Sequence, residues 1–256
     1  MASSLNGKFV WYELVTPDAA AARRFYGAVL GWEARDAQMP GMEYNLMSAS
    51  GTDIAGMMGQ MDGMQAGWMG HISVDDLDSA FAKARAAGAT PIVPITPIPG
   101  VGRFALLLDP EGAAFSLLDY ADEFPKPAVP DHGIQGHGWW RELHTSDREK
   151  AFAFYSDQFG WPEIHRMPMG PDEFYQIFGY DRSQGRGAIF TDKDAKAPHW
   201  LFYFWVDDLD VTQAKLEKAG GKVLTGPMEV PDSTWIIHAS DPQGITFAVV
   251  GRRGKK

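Results

Sequence analysis

The sequence predicts an α+β fold made by tandem duplication of βαβββ-like modules. Three observations predict it: an ordered internal repeat, strand-type alternation ahead of each helix start, and an Asp-Pro-x-Gly turn late in each half. Thr16-Pro17-Asp18, Phe25-Tyr26 and Gly31-Trp32 recur as Thr145-Ser146-Asp147, Phe154-Tyr155 and Gly160-Trp161, each 129 residues on. Val74-Asp75-Asp76-Leu77-Asp78, Gly88 and Asp109-Pro110-Glu111-Gly112 recur 132 residues on, as Val206-Asp207-Asp208-Leu209-Asp210, Gly220 and Asp241-Pro242-Gln243-Gly244. Matches in one order with a single small drift mark a duplicated chain.

Each half reads with the same grammar. Phe9–Val15 alternates and is rich in aromatic and β-branched residues, which predicts a strand. Thr16-Pro17 starts a helix, with Thr16 as N-cap and Pro17 at the first helical position; the helix stops at Gly31. In the second half Ser146 and Glu149 read as a capping box. Gly41–Met58 suggests short strands with glycine turns. His71–Val74 reads as a strand, and Asp76–Ala87 as a helix ended by Gly88. Phe104–Leu108 and Ala113–Leu118 read as a hairpin across a type I turn at Asp109-Pro110-Glu111-Gly112. Two domains are expected, residues 3–122 and 136–252. Between them, 123–135 is an extended linker marked by Pro125, Pro127 and Pro130. Whether modules pair within a half or between halves is left open by the sequence.

Composition removes several function classes. The chain has 256 residues, no cysteine and a net charge of -10. Thiolate metal sites, disulfides and a cysteine nucleophile are therefore excluded. The acidic balance gives no footprint for nucleic acid, and no stretch reaches the length of a membrane span. A soluble, cytoplasmic protein is expected. The expected partner is a small-molecule ligand, with a homodimer left open.

The Thr-Pro-Asp, Phe-Tyr-Gly-Ala-Val-Leu-Gly-Trp, Val-Asp-Asp-Leu-Asp and Asp-Pro-Glu-Gly motifs together resemble the vicinal oxygen chelate superfamily. That group holds glyoxalase I, bleomycin-resistance proteins and extradiol dioxygenases. The tandem form is similar to a glyoxalase-like subgroup. The resemblance implies that paired modules curl their strands into an open barrel around a pocket. It also implies metal ligands at set strand positions, which in this chain are Trp11, Met69 and Ser116, then Trp140, Leu201 and Ala248. None is a ligand, so no metal cofactor is expected, with a loosely held divalent metal as the alternative.

Alternation along strands then selects candidates. Glu13 and Glu142 repeat at the same place in both halves. Each reads as a carboxyl in a partly apolar cavity doing acid–base work, or as an acceptor for neighbouring strands. His144 lies two residues beyond Glu142, which fits acid–base work or part of a metal site. His71 reads as a pocket base or a hydrogen-bonded wall residue. Trp11, Trp140, Tyr203 and Trp205 fall on the same inferred faces, joined by Trp235 and Tyr175. They read as walls for a flat ligand, or as core. Arg103 reads as an anion anchor or as a surface partner of Glu111 or Asp109. The functions carried forward are a sequestering binder or metal-independent enzyme, and alternatively a metal-dependent lyase or dioxygenase.

Overall fold

In the computed structural model, which describes residues 5–39 and 41–254, the first half runs β1 (Phe9–Thr16), α1 (Ala19–Leu30), β2 (Glu33–Asp36), β3 (Tyr44–Ala49) and β4 (Thr52–Gly59). It continues with β5 (Gly67–Ser73), α2 (Leu77–Ala86), β6 (Thr90–Ile98), β7 (Gly102–Leu108) and β8 (Ala114–Tyr120). The second half begins with β9 (Gly138–Thr145), α3 (Arg148–Phe159), β10 (Glu163–Gly170), β11 (Glu173–Phe178) and β12 (Gly187–Thr191). It ends with β13 (His199–Val206), α4 (Leu209–Lys218), β14 (Lys222–Val230), β15 (Thr234–Ser240) and β16 (Thr246–Gly251). Hydrogen bonding orders these strands into two eight-stranded sheets, β2-β3-β4-β1-β5-β8-β7-β6 and β10-β11-β12-β9-β13-β16-β15-β14. The fold is therefore α+β, with the βαβββ module repeated four times.

Packing divides the chain into two compact units, each drawing on both halves. One comprises the chain up to Val10, Met69–Val129 and Arg141–Trp200; the other comprises Trp11–Trp68, Pro130–Trp140 and the chain from Leu201. In the first unit, the buried Tyr155 of α3 donates its hydroxyl to Asp109 Oδ2 at 3.0 Å. It also accepts the Trp200 indole N–H at 3.2 Å. Asp109 Oδ1 meanwhile accepts the backbone N–H groups of Glu111, Gly112 and Ala113. In the second unit Tyr26 of α1 donates to Asp241 Oδ2 at 3.3 Å and accepts the Trp68 indole N–H at 3.1 Å. The Phe-Tyr and Asp-Pro motifs, far apart in the chain, are thus two ends of one contact made once in each unit. Burial raises the proton affinity of all four groups, opposed at the carboxyls by the N–H groups around them.

Aromatic rings fill the core beside these tethers. In the first unit Trp161 stacks on Phe178, with centroids 4.1 Å apart, and on Tyr155 at 5.5 Å. Its indole N–H donates to the Gly7 carbonyl at 2.6 Å. Trp32 plays the corresponding part in the second unit, donating to the Gly136 carbonyl at 2.9 Å. Buried Trp keeps its donor satisfied in both cases.

Helix ends show where local chemistry outran the sequence reading. The N-cap of α1 is Asp18, whose carboxylate accepts from Ala21 N, so Thr16 closes β1 and Pro17 precedes the cap. Asp147 caps α3 through Glu149 N and Lys150 N. Ser146 instead donates its hydroxyl to Glu111, so the Ser146–Glu149 capping box does not form. A carboxylate is as good a cap as a hydroxyl and adds favourable charge at the helix dipole. The C-terminal stops hold: Gly31 and Gly160 adopt φ of 74° and 71°, left-handed values that suit glycine. The hairpin at Asp109 also holds, with Leu108 paired to Ala114. Strand β6 was not anticipated, because Pro91, Pro94 and Pro97 break the strand pattern. It lies at the sheet edge, where missing N–H groups are tolerated. Arg103 pairs with Asp78 and Asp119, at 2.8 and 2.9 Å, rather than with Glu111 or Asp109. Among the described residues, no helix is long and apolar enough to cross a membrane.

Candidate functional site

Glu13 lies in the second unit, buried on β1. In register it faces Gly56 on β4, and Gly56 in turn faces Leu46 on β3. Tyr44, two residues before Leu46, reaches over Gly56 and donates its hydroxyl to Glu13 Oε2 at 2.8 Å. A Cβ at residue 56 would fall 1.9 Å from that hydroxyl and 2.7 Å from Glu13 Oε1. The absent side chain of Gly56 therefore makes room for the pair. Oε1 is buried with no hydrogen-bond partner. Burial raises the Glu13 pKa to about 7, opposed by the Tyr44 hydrogen bond and by the nearby Trp11 side chain. Replacing Gly56 with Ala is expected to push the Tyr44 hydroxyl aside and move the Glu13 titration above pH 7. Carboxyl carbon NMR would read this, and an unchanged titration would contradict the described geometry.

His71, in the first unit, faces Ser116 across β5 and β8. Its Nδ1 is 2.9 Å from Ser116 Oγ, and its Nε2 is buried without a partner. Burial lowers its pKa to about 4, so the ring is neutral at pH 7.

The first unit also brings several titratable side chains together. Glu142 and His144 are alternate residues of β9 and share a face. Tyr175 on β11 donates its hydroxyl to Glu142 Oε1 at 2.5 Å. His144 Nδ1 bonds Asp192 Oδ2 at 2.7 Å, and His144 Nε2 lies 3.6 Å from Glu142 Oε2. The latter is an ion-pair distance, too long for a hydrogen bond. His144 stacks on His199 with centroids 4.5 Å apart and abuts Phe190 at 4.6 Å. Burial works against charge on His144, but the two carboxylates outweigh it and raise its pKa. His199 shifts the other way, lowered by burial and by the neighbouring His144 charge. Burial would raise Asp192, yet the His144 hydrogen bond holds it below its ordinary value. Among the candidates taken from sequence, Glu142 and His144 are thus brought together. Glu13 and His71 belong to separate units. Tyr44, Asp192 and His238 were missed, because cross-strand register is not written in local spacing. Tyr44 had one signal: it stands 31 residues after Glu13, much as Tyr175 stands 33 after Glu142.

The aromatic candidates divide. Tyr203 is buried with Leu201, Ile236, Ala248 and Val250, and Trp139, Trp140 and Trp205 pack half-buried against that cluster. Tyr203 and His238 both face Ala248 in register. The small residue between them lets Tyr203 Oη approach His238 Nε2 to 2.7 Å. Tyr203 is therefore core with a polar tie to His238, while Trp140 and Trp205 are half-buried. Trp11 is half-buried on β1.

The family model described as "Glyoxalase/Bleomycin resistance protein/Dioxygenase superfamily" matches residues 8–117 and again 140–249. The chain belongs to this superfamily. Among curated relatives, "Putative glyoxylase CFP32" of Mycobacterium tuberculosis is 30% identical over 94% of this chain and 93% of its own length. "Anthracycline biosynthesis protein DauV" of Streptomyces sp. is 28% identical over 96% of this chain and 94% of its own. The Mn(II)-bound glyoxalase of Novosphingobium aromaticivorans superposes with a TM-score of 0.72 at 15% identity, covering 99% of this chain and 84% of that one. The 2,3-dioxygenase LapB of Pseudomonas sp. KL28 gives 0.67 at 16%, covering 95% and 91%. These two likenesses speak to fold.

The Mn(II)-bound glyoxalase of similar fold holds a metal ion. Ser116 and Ala248 lie on the terminal strands of their modules, opposite His71 and Tyr203. Neither these nor Trp11, Met69, Trp140 or Leu201 offers a ligand for a hard divalent ion. Among the described residues, no group of three His, Asp or Glu side chains could hold a metal. The donor set does not fit the superfamily's metal at those positions.

Proposed function

We propose that this superfamily member is an enzyme that moves a proton on a small, flat, carbonyl-bearing molecule, using Glu142 and His144. The observation that carries the reading is a half-buried imidazole set between two carboxylates, Asp192 on Nδ1 and Glu142 beyond Nε2. Asp192 fixes the tautomer and orientation of the ring. Tyr175 holds Glu142 in place. A proton-transfer pair needs a base and an acid within reach of one proton, with affinities brought toward working pH. The relative named for anthracycline biosynthesis supports a polycyclic aromatic substrate class.

The test begins with a thermal-shift screen of aromatic ketones and quinones. A ligand at ~100 times its Kd should stabilise by about 2.7 kcal/mol. Turnover of hits is expected to fall ~100-fold or more in Glu142→Gln and His144→Asn, with binding retained, and less in Asp192→Asn. Unchanged turnover in both would remove the enzyme reading. A second reading, a sequestering binder, is favoured by the half-buried indoles of Trp139, Trp140 and Trp205 against the Tyr203 cluster. It predicts tight binding, ligand recovered unchanged and no effect of Glu142→Gln. Near-stoichiometric manganese or iron in the purified protein, lost on mutating Glu13 or His71, would instead favour the metal-dependent alternative.

A further inference from the structure

The duplication left two Glu–Tyr pairs, and they are not equivalent. Glu142 stands beside His144; the matching neighbour of Glu13 on β1 is Val15. Alternate residues of β1, β3 and β4 surround Glu13 with Trp11, Val15, Leu46, Ile54 and Met58. Val15, Ile54 and Met58 are buried, while Trp11 and Leu46 keep some exposed surface. On β3 and β4, the titratable side chain brought onto Glu13 is Tyr44. The face is apolar with a single carboxyl, and that carboxyl has one oxygen occupied by Tyr44 and the other buried without a partner. A buried polar atom left unmatched is costly unless something pairs with it. Apolar sites with one or two fixed polar groups are the usual form of a small-molecule site.

We propose that the first half carries a ligand site of its own, in which Glu13 Oε1 hydrogen-bonds the carbonyl oxygen of a flat aromatic ketone or quinone. The proton belongs on Oε1, because Oε2 already accepts the Tyr44 hydroxyl. In that state the carboxyl donates to a carbonyl and has no use for a cation. Burial keeps the proton in place up to about pH 7. Above that the carboxylate and the carbonyl oxygen repel. Trp11, alternate with Glu13 on the same strand face, offers the ring surface against which a flat ligand lies. The site is independent of the Glu142–His144 reading: it binds and needs no turnover.

The test uses two probes of one shape, 2-acetylnaphthalene and 2-ethylnaphthalene, neither of which ionises between pH 6 and 8.5. Binding to the full chain is measured by calorimetry at both pH values. The ketone is expected to bind about tenfold tighter at pH 6, an advantage that largely disappears at pH 8.5. Glu13→Gln, whose amide donates at any pH, is expected to keep the advantage at both values. Glu13→Leu is expected to lose it while still binding 2-ethylnaphthalene. A ketone advantage that survives in Glu13→Leu, that is lost in Glu142→Gln instead, or that is absent from the wild type at pH 6 overturns the proposal. Success here with no turnover anywhere would leave this site standing and remove only the enzyme reading.

Discussion

Glu13→Gln is expected to stabilise the protein at pH 8 by about 3 kcal/mol relative to its effect at pH 4. The folded pKa of about 7 lies above the unfolded value of 4.5. Between those values the unfolded chain binds fewer protons, so stability falls as pH rises, and the loss is complete above pH 7. The separation, at 1.36 kcal/mol per pH unit, sets the ~3 kcal/mol scale. His71 acts in the opposite sense. Its folded pKa of about 4 lies below the ordinary 6.5, so its contribution is complete above pH 6.5 and is lost as pH falls toward 4. From pH 4.5 to 6.5 the two slopes oppose each other, and their sum in the wild type is nearly flat. Glu13→Gln should expose a stability that rises with pH there, and His71→Asn one that falls. Urea unfolding at half-unit pH steps measures both. A Glu13→Gln profile parallel to wild type from pH 4 to 8 would contradict the burial of that carboxyl.

These two groups also show what the sequence makes legible. Glu13 and His71 could be selected because strand alternation and the repeat assign faces without knowing any neighbour. Their partners, Tyr44 and Ser116, depend on which residues lie opposite across β4 and β8. Register is a property of paired strands, and hydrophobic alternation repeats every second residue, so it fixes a face but not a partner. The same reason hid Asp192 and His238. The motifs behaved differently. Phe-Tyr and Asp-Pro-x-Gly were legible as repeats, yet their use was not: each forms half of a tether to a module from the other half of the chain. The three prolines of β6 obscured a strand because an edge position, which makes them harmless, is itself a tertiary fact.

Asp109→Ala is expected to cost about 3 kcal/mol, more than Tyr155→Phe at about 1–2 and far more than Asp109→Asn. The order follows from counting what each change strands. Alanine removes the acceptor of three backbone N–H groups and of the Tyr155 hydroxyl at once. Phenylalanine leaves Asp109 Oδ2 and the Trp200 indole N–H without their shared hydroxyl. Asparagine keeps an oxygen for the turn and its amide can donate to the Tyr155 oxygen, so it strands only the Tyr155 hydroxyl proton, and it removes a charge that burial already disfavours, as the raised Asp109 pKa shows. Urea unfolding of the three variants ranks them. An Asp109→Asn variant as unstable as Asp109→Ala would mean that the charge, rather than the set of hydrogen bonds, holds the turn to α3. The matching pair in the other unit, Asp241 and Tyr26, should repeat the order with smaller steps, because Asp241 Oδ1 collects two backbone N–H groups and the Tyr26 hydroxyl lies farther off at 3.3 Å.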